Sequence, residues 1–184
     1  MGIGYIKITL SMQQRNHNSE SSGVTSNENR RKHKRIALFP GTFDPFTTGH
    51  ESLVKRGLTI MDEIVIAIGI NDSKKSFFSF DKRIKMITDL YADNPRVTVE
   101  SYNTLTVDFA NKIGANYILR GIRSVIDFEY EKSIADMNRT ISKIETFVLF
   151  TEPALTHISS TLVRQLLQYG QDVSEFIPKG LKID

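Results

Sequence analysis

From residue 35 onward, short apolar runs alternate with segments that have the spacing of amphipathic helices. We predict strands at Arg35–Phe39, Glu63–Ile70, Val97–Ser101, Tyr117–Arg120 and Glu145–Phe150. We predict helices around Leu53–Met61 and Ile84–Leu90, the latter capped by Ser79, and at Thr106–Ile113, Val125–Ser142 and Ser160–Gln168. Strands rich in Val and Ile that alternate with helices indicate a buried parallel sheet with helices on both faces. Right-handed crossovers make this a Rossmann-like, doubly wound α/β fold with five strands.

The composition excludes several kinds of site. Because the chain has no cysteine, it has no disulfide, no thiolate metal site and no cysteine nucleophile. No apolar run approaches the roughly 20 residues that a membrane helix needs, so we expect no membrane partner. These features are compatible with a cytoplasmic protein, and a cytoplasmic location is our expectation.

The positive charge is concentrated at the N-terminus. Residues 1–35 carry seven Lys or Arg and two Asp or Glu, whereas the rest of the chain carries 17 basic and 19 acidic residues. A nucleic-acid partner would require a basic face on the folded part, so we expect none. Residues 11–34 have almost nothing to bury, and we predict that residues 1–34 form a disordered or tail-like extension. The domain is predicted to span residues 35–184.

The segment from Ile36 to His50 reads I-A-L-F-P-G-T-F-D-P-F-T-T-G-H. A strand, a glycine turn and then polar groups at a helix start form an anion site in α/β folds, because free N–H groups and the positive helix end converge there. His50 is a candidate donor to a phosphate oxygen whose charge grows during reaction, and the alternative is a histidine with no role. Thr42 is a candidate phosphate ligand. Asp44 is predicted to order the loop by accepting from backbone N–H groups.

Further polar loops follow the other predicted strands. Because the carboxyl ends of parallel strands meet at one edge of the sheet, we expect these loops to lie beside the Pro40–His50 loop. Lys74 is a candidate point charge for an anion, and the alternative is a solvated loop lysine. The consecutive hydroxyls of Ser159, Ser160 and Thr161 at a helix start predict a phosphate site, against the simpler interpretation of a helix cap.

Two arginines follow the fourth predicted strand. Arg120 and Arg123 carry guanidinium groups that suit phosphate, and Gly121 between them is expected to let the chain turn close to a ligand. The alternative is pairing with acidic residues of the next helix, namely Asp127, Glu129 or Glu131. Both interpretations are compatible, since a carboxylate can fix the orientation of an arginine that also contacts phosphate.

With these residues assembled, residues 35–178 resemble the bacterial phosphopantetheine adenylyltransferase family. The T-x-G-H motif at Thr47–His50 resembles the signature of the nucleotidylyltransferase superfamily. The family resemblance rests chiefly on the block R-G-I-R-S-V-I-D-F-E-Y-E at Arg120–Glu131, with D-S-K-K before it and I-S-S-T-L-V-R after it. The family transfers AMP from ATP to 4′-phosphopantetheine, giving dephospho-coenzyme A and pyrophosphate in coenzyme A biosynthesis.

The resemblance also implies roles for individual residues. It implies His50 as the transition-state stabiliser, with Lys74 and Arg123 as further catalytic residues. For 4′-phosphopantetheine, the implied contacts are Thr42, Lys74, Thr106 and Arg120. For ATP, the implied contacts are Thr42, Phe43, His50, Gly121, Ile122, Arg123, Glu131, Leu155, Thr156, His157, Ile158, Ser159, Ser160 and Thr161. It further implies Mg²⁺ carried by the ATP phosphates rather than by a protein metal site, a homohexamer, and coenzyme A as a feedback ligand.

Other functions use a loop of the same type. A cytidylyltransferase or a nicotinamide-mononucleotide adenylyltransferase would differ in the acceptor, and the Arg120–Glu131 block argues against both. A non-catalytic module that senses adenylates is a different class of hypothesis, which the presence of His50 and Thr42 disfavours.

Overall fold

Five parallel strands form one sheet in the order β3-β2-β1-β4-β5. The computed structural model describes residues 34–70 and 76–183. The strands are β1 (Ile36–Gly41), β2 (Glu63–Gly69), β3 (Val97–Tyr102), β4 (Tyr117–Ile122) and β5 (Glu145–Phe150). The helices are α1 (Thr48–Gly57), α2 (Phe80–Leu90), α3 (Thr106–Lys112), α4 (Val125–Ser142) and α5 (Ser160–Gln168), with a short 3₁₀ turn at Pro153–Leu155. The prediction for residues 1–33 lies outside the described residues.

Helices pack on both faces of the sheet because neighbouring residues of a strand point to opposite sides. Phe39 of β1 belongs to one buried cluster, and Leu38 belongs to the other. The first cluster includes buried residues of three helices, namely Leu53, Val54, Met86, Ile87 and Val163. The second includes Val107, Phe109 and Ala110 of α3. The predicted five-stranded, doubly wound parallel fold is therefore confirmed, and Ser79 caps α2 as predicted.

Three of the predicted strands extend beyond their predicted ends, and β3 does so by one residue, to Tyr102. β1 continues through Pro40 and Gly41, which pair with Ala67 and Ile68 of β2, so this glycine belongs to the strand. β4 continues through Ile122, which pairs with Phe150 of β5. The polar loops therefore begin one or two residues later than the sequence indicated, at the same edge of the sheet.

The prediction that Gly121 allows a turn is wrong. Gly121 lies inside β4, paired with Leu149 of β5. A Cβ atom at this position would come within 2.3 Å of Leu53 Cδ1 in α1. The glycine is therefore explained by the close approach of α1 to β4, which brings the start of α1 to the two arginines.

Candidate active site

The loop between β1 and α1 is held by a group of aromatic rings. Phe43 has a φ of 48°, in the left-handed region that non-glycine residues rarely adopt. Its ring centroid lies 5.2 Å from that of Phe39, 5.4 Å from that of Phe46 and 5.1 Å from that of His50. The same ring lies 2.6 Å from the place of a Cβ atom on Gly41, so this strand end requires glycine.

The prediction that Asp44 orders the loop is confirmed. Its buried carboxylate accepts hydrogen bonds from the N–H groups of Phe77 at 2.7 Å and Phe78 at 2.9 Å. These two residues precede α2, so the carboxylate joins the loop after β1 to the segment before α2. Buried carboxylates that accept two N–H groups are well compensated for their loss of water.

His50 occupies the third position of α1 and closes a capping box with Thr47. Its backbone N–H donates to Thr47 Oγ1 at 3.5 Å, and its Nδ1 accepts the Thr47 backbone N–H at 3.0 Å. Because a backbone N–H can only donate, Nδ1 is the unprotonated ring nitrogen and the proton of the neutral ring lies on Nε2. No described residue accepts from Nε2, which leaves this N–H available as a hydrogen-bond donor.

The imidazole of His50 is kept neutral by its surroundings. Burial lowers the pKa of His50 from 6.5 to about 4, and the positive charges of Arg123 and Arg120 act in the same direction. At neutral pH the group therefore donates a hydrogen bond from Nε2 without carrying a charge of its own.

This lowered pKa makes the stability of the fold depend on pH. The unfolded chain binds a proton at His50 below about pH 6.5, whereas the folded chain does so only near pH 4. The free energy of unfolding should therefore fall as the pH decreases from 6.5 towards 4, by about 2 kcal/mol from this residue. Urea titrations at pH 7.5 and pH 4.5 measure the free energy of unfolding. Because glutamine does not titrate, the difference in pH dependence between the wild type and His50→Gln gives the contribution of His50. Equal pH dependence in the two proteins would contradict the assignment.

Arg120 lies in β4, two residues before the strand ends, and binds a buried carboxylate. Its Nε donates to Glu131 Oε2 at 2.7 Å, its Nη2 pairs with Glu131 Oε1, and its Nη1 donates to the Pro40 carbonyl at 2.9 Å. Pairing with α4, the alternative raised by the sequence, is therefore present. These bonds use three of the five N–H groups of the Arg120 guanidinium. The other two N–H groups have no acceptor among the described residues.

The guanidinium of Arg123 makes fewer hydrogen bonds within the protein than that of Arg120. Its Nε lies 3.3 Å from Asp127 Oδ2, and its backbone N–H donates to the same oxygen at 3.1 Å. Ser124 caps α4 beside it by accepting the N–H of Asp127. The other four N–H groups of this guanidinium have no acceptor among the described residues, so Arg123 retains more donors for an anion than Arg120 does.

The three hydroxyls at the start of α5 each have a partner within the protein. Ser159 accepts the N–H of Leu162 as the helix cap, and Ser160 Oγ donates to the Pro45 carbonyl at 2.8 Å. Thr161 Oγ1 accepts from Arg164 Nη2 at 3.1 Å. The start of α5 is thereby fixed against the loop after β1, with its positive end beside that loop.

Two neighbouring cavities open at this edge of the sheet. The first cavity has a volume of about 340 Å³ and lies between the loop after β1 and the starts of α4 and α5. The second cavity, of about 580 Å³, lies between the ends of β1 to β3 and α4. Pro40, Gly41 and Arg120 line both, so the cavities adjoin at this guanidinium.

Most of the residues implied by the resemblance line these cavities. Those that line the first cavity are Phe43, His50, Arg120, Gly121, Arg123, Glu131, Ile158, Ser159, Ser160 and Thr161. Those that line the second cavity are Thr42, Thr106 and Arg120. The imidazole and the two guanidinium groups thus share one cavity, as the sequence predicted.

Other implied residues lie elsewhere. Ile122 has a buried side chain that lines neither cavity. Leu155, Thr156 and His157 belong to the turn before α5 and also line neither cavity. Lys74 lies outside the described residues. A ligand role for these residues stays a prediction.

The sequence reasoning missed one wall of the second cavity. Besides Asn138, four apolar or aromatic residues of α4 line it: Tyr130, Ile134, Met137 and Ile141. Their spacing of four, three and four residues puts them on one face of a helix, and this pattern is readable in the sequence. It indicates an apolar face, but it does not say whether that face meets the core, a ligand or another chain.

The fold and this site define a nucleotidyltransferase. The model of the cytidylyltransferase-like family matches residues 38–166, so the chain belongs to that family. In the part of the chain that the structure describes, no cluster of acidic or histidine side chains suited to a metal and no helix able to cross a membrane is present.

The relatives identify the particular family. The phosphopantetheine adenylyltransferase of Phocaeicola vulgatus is 62% identical over 150 residues, which cover 82% of this chain and 99% of the relative. That of Bacteroides thetaiotaomicron is 59% identical with the same coverage, and that of Porphyromonas gingivalis is 49% identical over 151 residues. The chain therefore belongs to the phosphopantetheine adenylyltransferases, nucleotidyltransferases that make dephospho-coenzyme A in coenzyme A biosynthesis.

The solved structures support the fold alone. A bifunctional NMN adenylyltransferase/ADP ribose pyrophosphatase from Francisella tularensis, complexed with AMP and a manganese ion, has a TM-score of 0.60 and 17% sequence identity. The match covers 82% of this chain and 45% of that longer chain. A second structure described as the same bifunctional protein has a TM-score of 0.62 and 19% identity.

Proposed function

We propose that this chain transfers the adenylyl group of ATP to 4′-phosphopantetheine across the junction of its two cavities. ATP would occupy the first cavity and the pantetheine arm the second, with the reacting phosphates beside Arg120. The observation that carries this proposal is the shared lining of the cavities, because two substrates in adjoining sites can bring their phosphates together.

The reaction needs no dedicated base. An oxygen of the acceptor phosphate attacks the α-phosphorus of ATP, a new P–O bond forms, and the bond to the β-phosphate breaks as pyrophosphate leaves. A phosphate monoester has a second pKa of about 6, so its attacking oxygen is largely ionised at neutral pH. Catalysis therefore depends on alignment of the two substrates and on stabilisation of the charge that develops at the α-phosphate.

The residues of the first cavity would divide this work. The Nε2–H of His50 donates to an oxygen of the α-phosphate, and the bond strengthens as charge grows there. Arg123 donates to the leaving phosphates with its uncommitted N–H groups, aided by the positive end of α5. Thr42, Thr106 and Arg120 would contact the acceptor in the second cavity, and Lys74 is proposed as a further contact.

Mg²⁺ is proposed to enter with ATP and to neutralise part of the triphosphate charge. The two carboxylates that line the first cavity, Asp127 and Glu131, are each paired with an arginine. They are therefore poorly suited to hold a cation by themselves, which favours a metal carried by the phosphates. Removal of Mg²⁺ by a chelator should abolish turnover while the fold remains intact by circular dichroism.

We propose an assembly of six copies, which the resemblance to the family implies. The burial pattern of α4 supports a contact with another chain, because its buried residues are polar and several of its apolar residues are exposed. Its buried residues are Glu131 and Asn138, whereas Val125 and Ile126 are 73% and 79% exposed. Phe150, at the end of the edge strand β5, is also 73% exposed. Exposed apolar groups of this kind mark a contact with another chain. Light scattering should give a mass six times that of the chain, and Ile126→Asp should reduce it.

Two further proposals concern regulation and location. Coenzyme A carries the same pantetheine arm as the acceptor, so it would compete for the second cavity and act as a feedback ligand. A rise in the KM for 4′-phosphopantetheine with added coenzyme A would support this.

The cytoplasmic location stays a prediction.

The decisive assay measures pyrophosphate release with defined pairs of substrates. ATP with 4′-phosphopantetheine should give turnover, whereas CTP, or ATP with nicotinamide mononucleotide, should give little. Turnover only with CTP or only with the mononucleotide would overturn the proposed substrates. Binding of ATP without turnover on any acceptor would favour an adenylate sensor.

A further inference from the structure

Arg83 is a buried arginine that no part of the proposed mechanism uses. It lies in the first turns of α2 and is 5% exposed. Its Nη1 donates to the Thr42 carbonyl at 2.7 Å, and its Nη2 donates to Ser76 Oγ at 3.3 Å. Burial lowers the pKa of this guanidinium, and the nearby Asp44 carboxylate opposes that shift. A guanidinium that loses most of its water to hold one loop carbonyl calls for an explanation beyond packing.

Asp44 holds the same loop through three further hydrogen bonds. Its carboxylate binds the N–H groups of Phe77 and Phe78, while its own carbonyl accepts from Arg164 Nη1 at 2.7 Å. The loop after β1 is therefore tied to the segment before α2 by Asp44, to α2 itself by Arg83 and to α5 by Arg164. Two helices, α2 and α5, thus both contribute a guanidinium group that binds a carbonyl of the loop.

The position of Arg83 fixes the direction of one peptide unit. The Thr42 carbonyl and the Phe43 N–H belong to the same planar group, so holding the carbonyl towards α2 directs the N–H the opposite way. No described residue accepts from that N–H. Phe43 also has its φ of 48°, a conformation that costs roughly 1–3 kcal/mol and persists only where the surroundings enforce it.

We propose that Arg83, with Asp44, is a positioning residue that sets the Thr42–Phe43 peptide between the two substrates. Thr42 lines the second cavity and Phe43 lines the first, so this peptide crosses from one site to the other. Arg83 touches neither substrate and acts only through the loop. The inference rests on the proposed function, because alignment of two phosphates is what the peptide would serve.

The test compares Arg83→Met with Arg96→Met. Arg96 also binds loop carbonyls, those of Leu58, Met61 and Asp62, but it does so at the opposite edge of the sheet. We expect Arg83→Met to lower kcat at least tenfold and to raise the KM for 4′-phosphopantetheine about tenfold. The Kd for ATP should change by less than threefold, since most of the first cavity is untouched. Arg96→Met should leave all three values within twofold of the wild type.

Two conservative variants keep the test decisive if Arg83→Met does not fold. Arg83→Lys retains one donor for the Thr42 carbonyl, so it should recover part of the lost kcat. Asp44→Asn keeps the shape of the side chain, but its NH₂ group faces one of the two N–H donors and cannot accept from it. This variant should therefore also lower kcat.

The outcomes separate this inference from the proposed function. If the wild type releases no pyrophosphate with the acceptor, the proposed function fails. If the wild type is active but the Arg83 and Asp44 variants match Arg96→Met in kcat and KM while losing stability, the residues only support the fold and the inference is wrong.

Discussion

Replacing His50 by alanine is expected to lower turnover by about two to three orders of magnitude, the loss typical of one removed donor to developing charge. The reason is the geometry of the ring, whose Nδ1 is occupied by the Thr47 N–H and whose protonated Nε2 has no acceptor among the described residues. The free energy of unfolding should fall by only about 1 kcal/mol, because one bond of the capping box is lost. Pyrophosphate release under saturating substrates measures kcat.

Glutamine at position 50 is the matched control for the capping box. A glutamine at the third helical position can accept the Thr47 backbone N–H, as His50 does. His50→Gln should therefore keep nearly the full stability at neutral pH. Its NH₂ group can also donate close to the place of Nε2, so we expect it to retain more turnover than His50→Ala. If His50→Ala retains turnover within threefold of the wild type, His50 has no part in the chemistry.

The fold and the composition of the site were readable from the sequence because both depend on local patterns. Alternating strands and helices predicted the parallel sheet, and the strand-end rule predicted that His50, Arg120 and Arg123 share one edge. Asp44 accepts two backbone N–H groups, as the sequence predicts, but their donors, Phe77 and Phe78, lie 33 and 34 residues further along the chain.

The remaining features depend on contacts between residues far apart in the sequence. The sequence around Gly121 favours a turn, but glycine also occurs where another element approaches the backbone closely. Only the position of Leu53 shows that Gly121 makes room for a helix. In the sequence, nothing distinguishes Arg83 from the other polar residues of its amphipathic helix. Its role depends on the Thr42 carbonyl, 41 residues earlier, and no local pattern records that bond.

A second large effect is expected at the pair formed by Arg120 and Glu131. Arg120→Met removes the partner of a carboxylate whose side chain is only 9% exposed. Breaking a buried pair in this way typically costs about 3–5 kcal/mol, and the 29% exposure of Arg120 lowers our expectation to about 2–3 kcal/mol. Turnover should fall as well, because Arg120 lies at the junction of the two cavities.

The double variant Arg120→Met/Glu131→Leu separates stability from catalysis. An apolar pair of similar size can replace a buried ion pair with little loss, so the double variant should recover most of the free energy of unfolding measured by urea titration. Turnover should stay low, because neither side chain can bind phosphate. Recovery of turnover together with stability would mean that Arg120 serves only to neutralise Glu131, and it would remove this guanidinium from the proposed acceptor site.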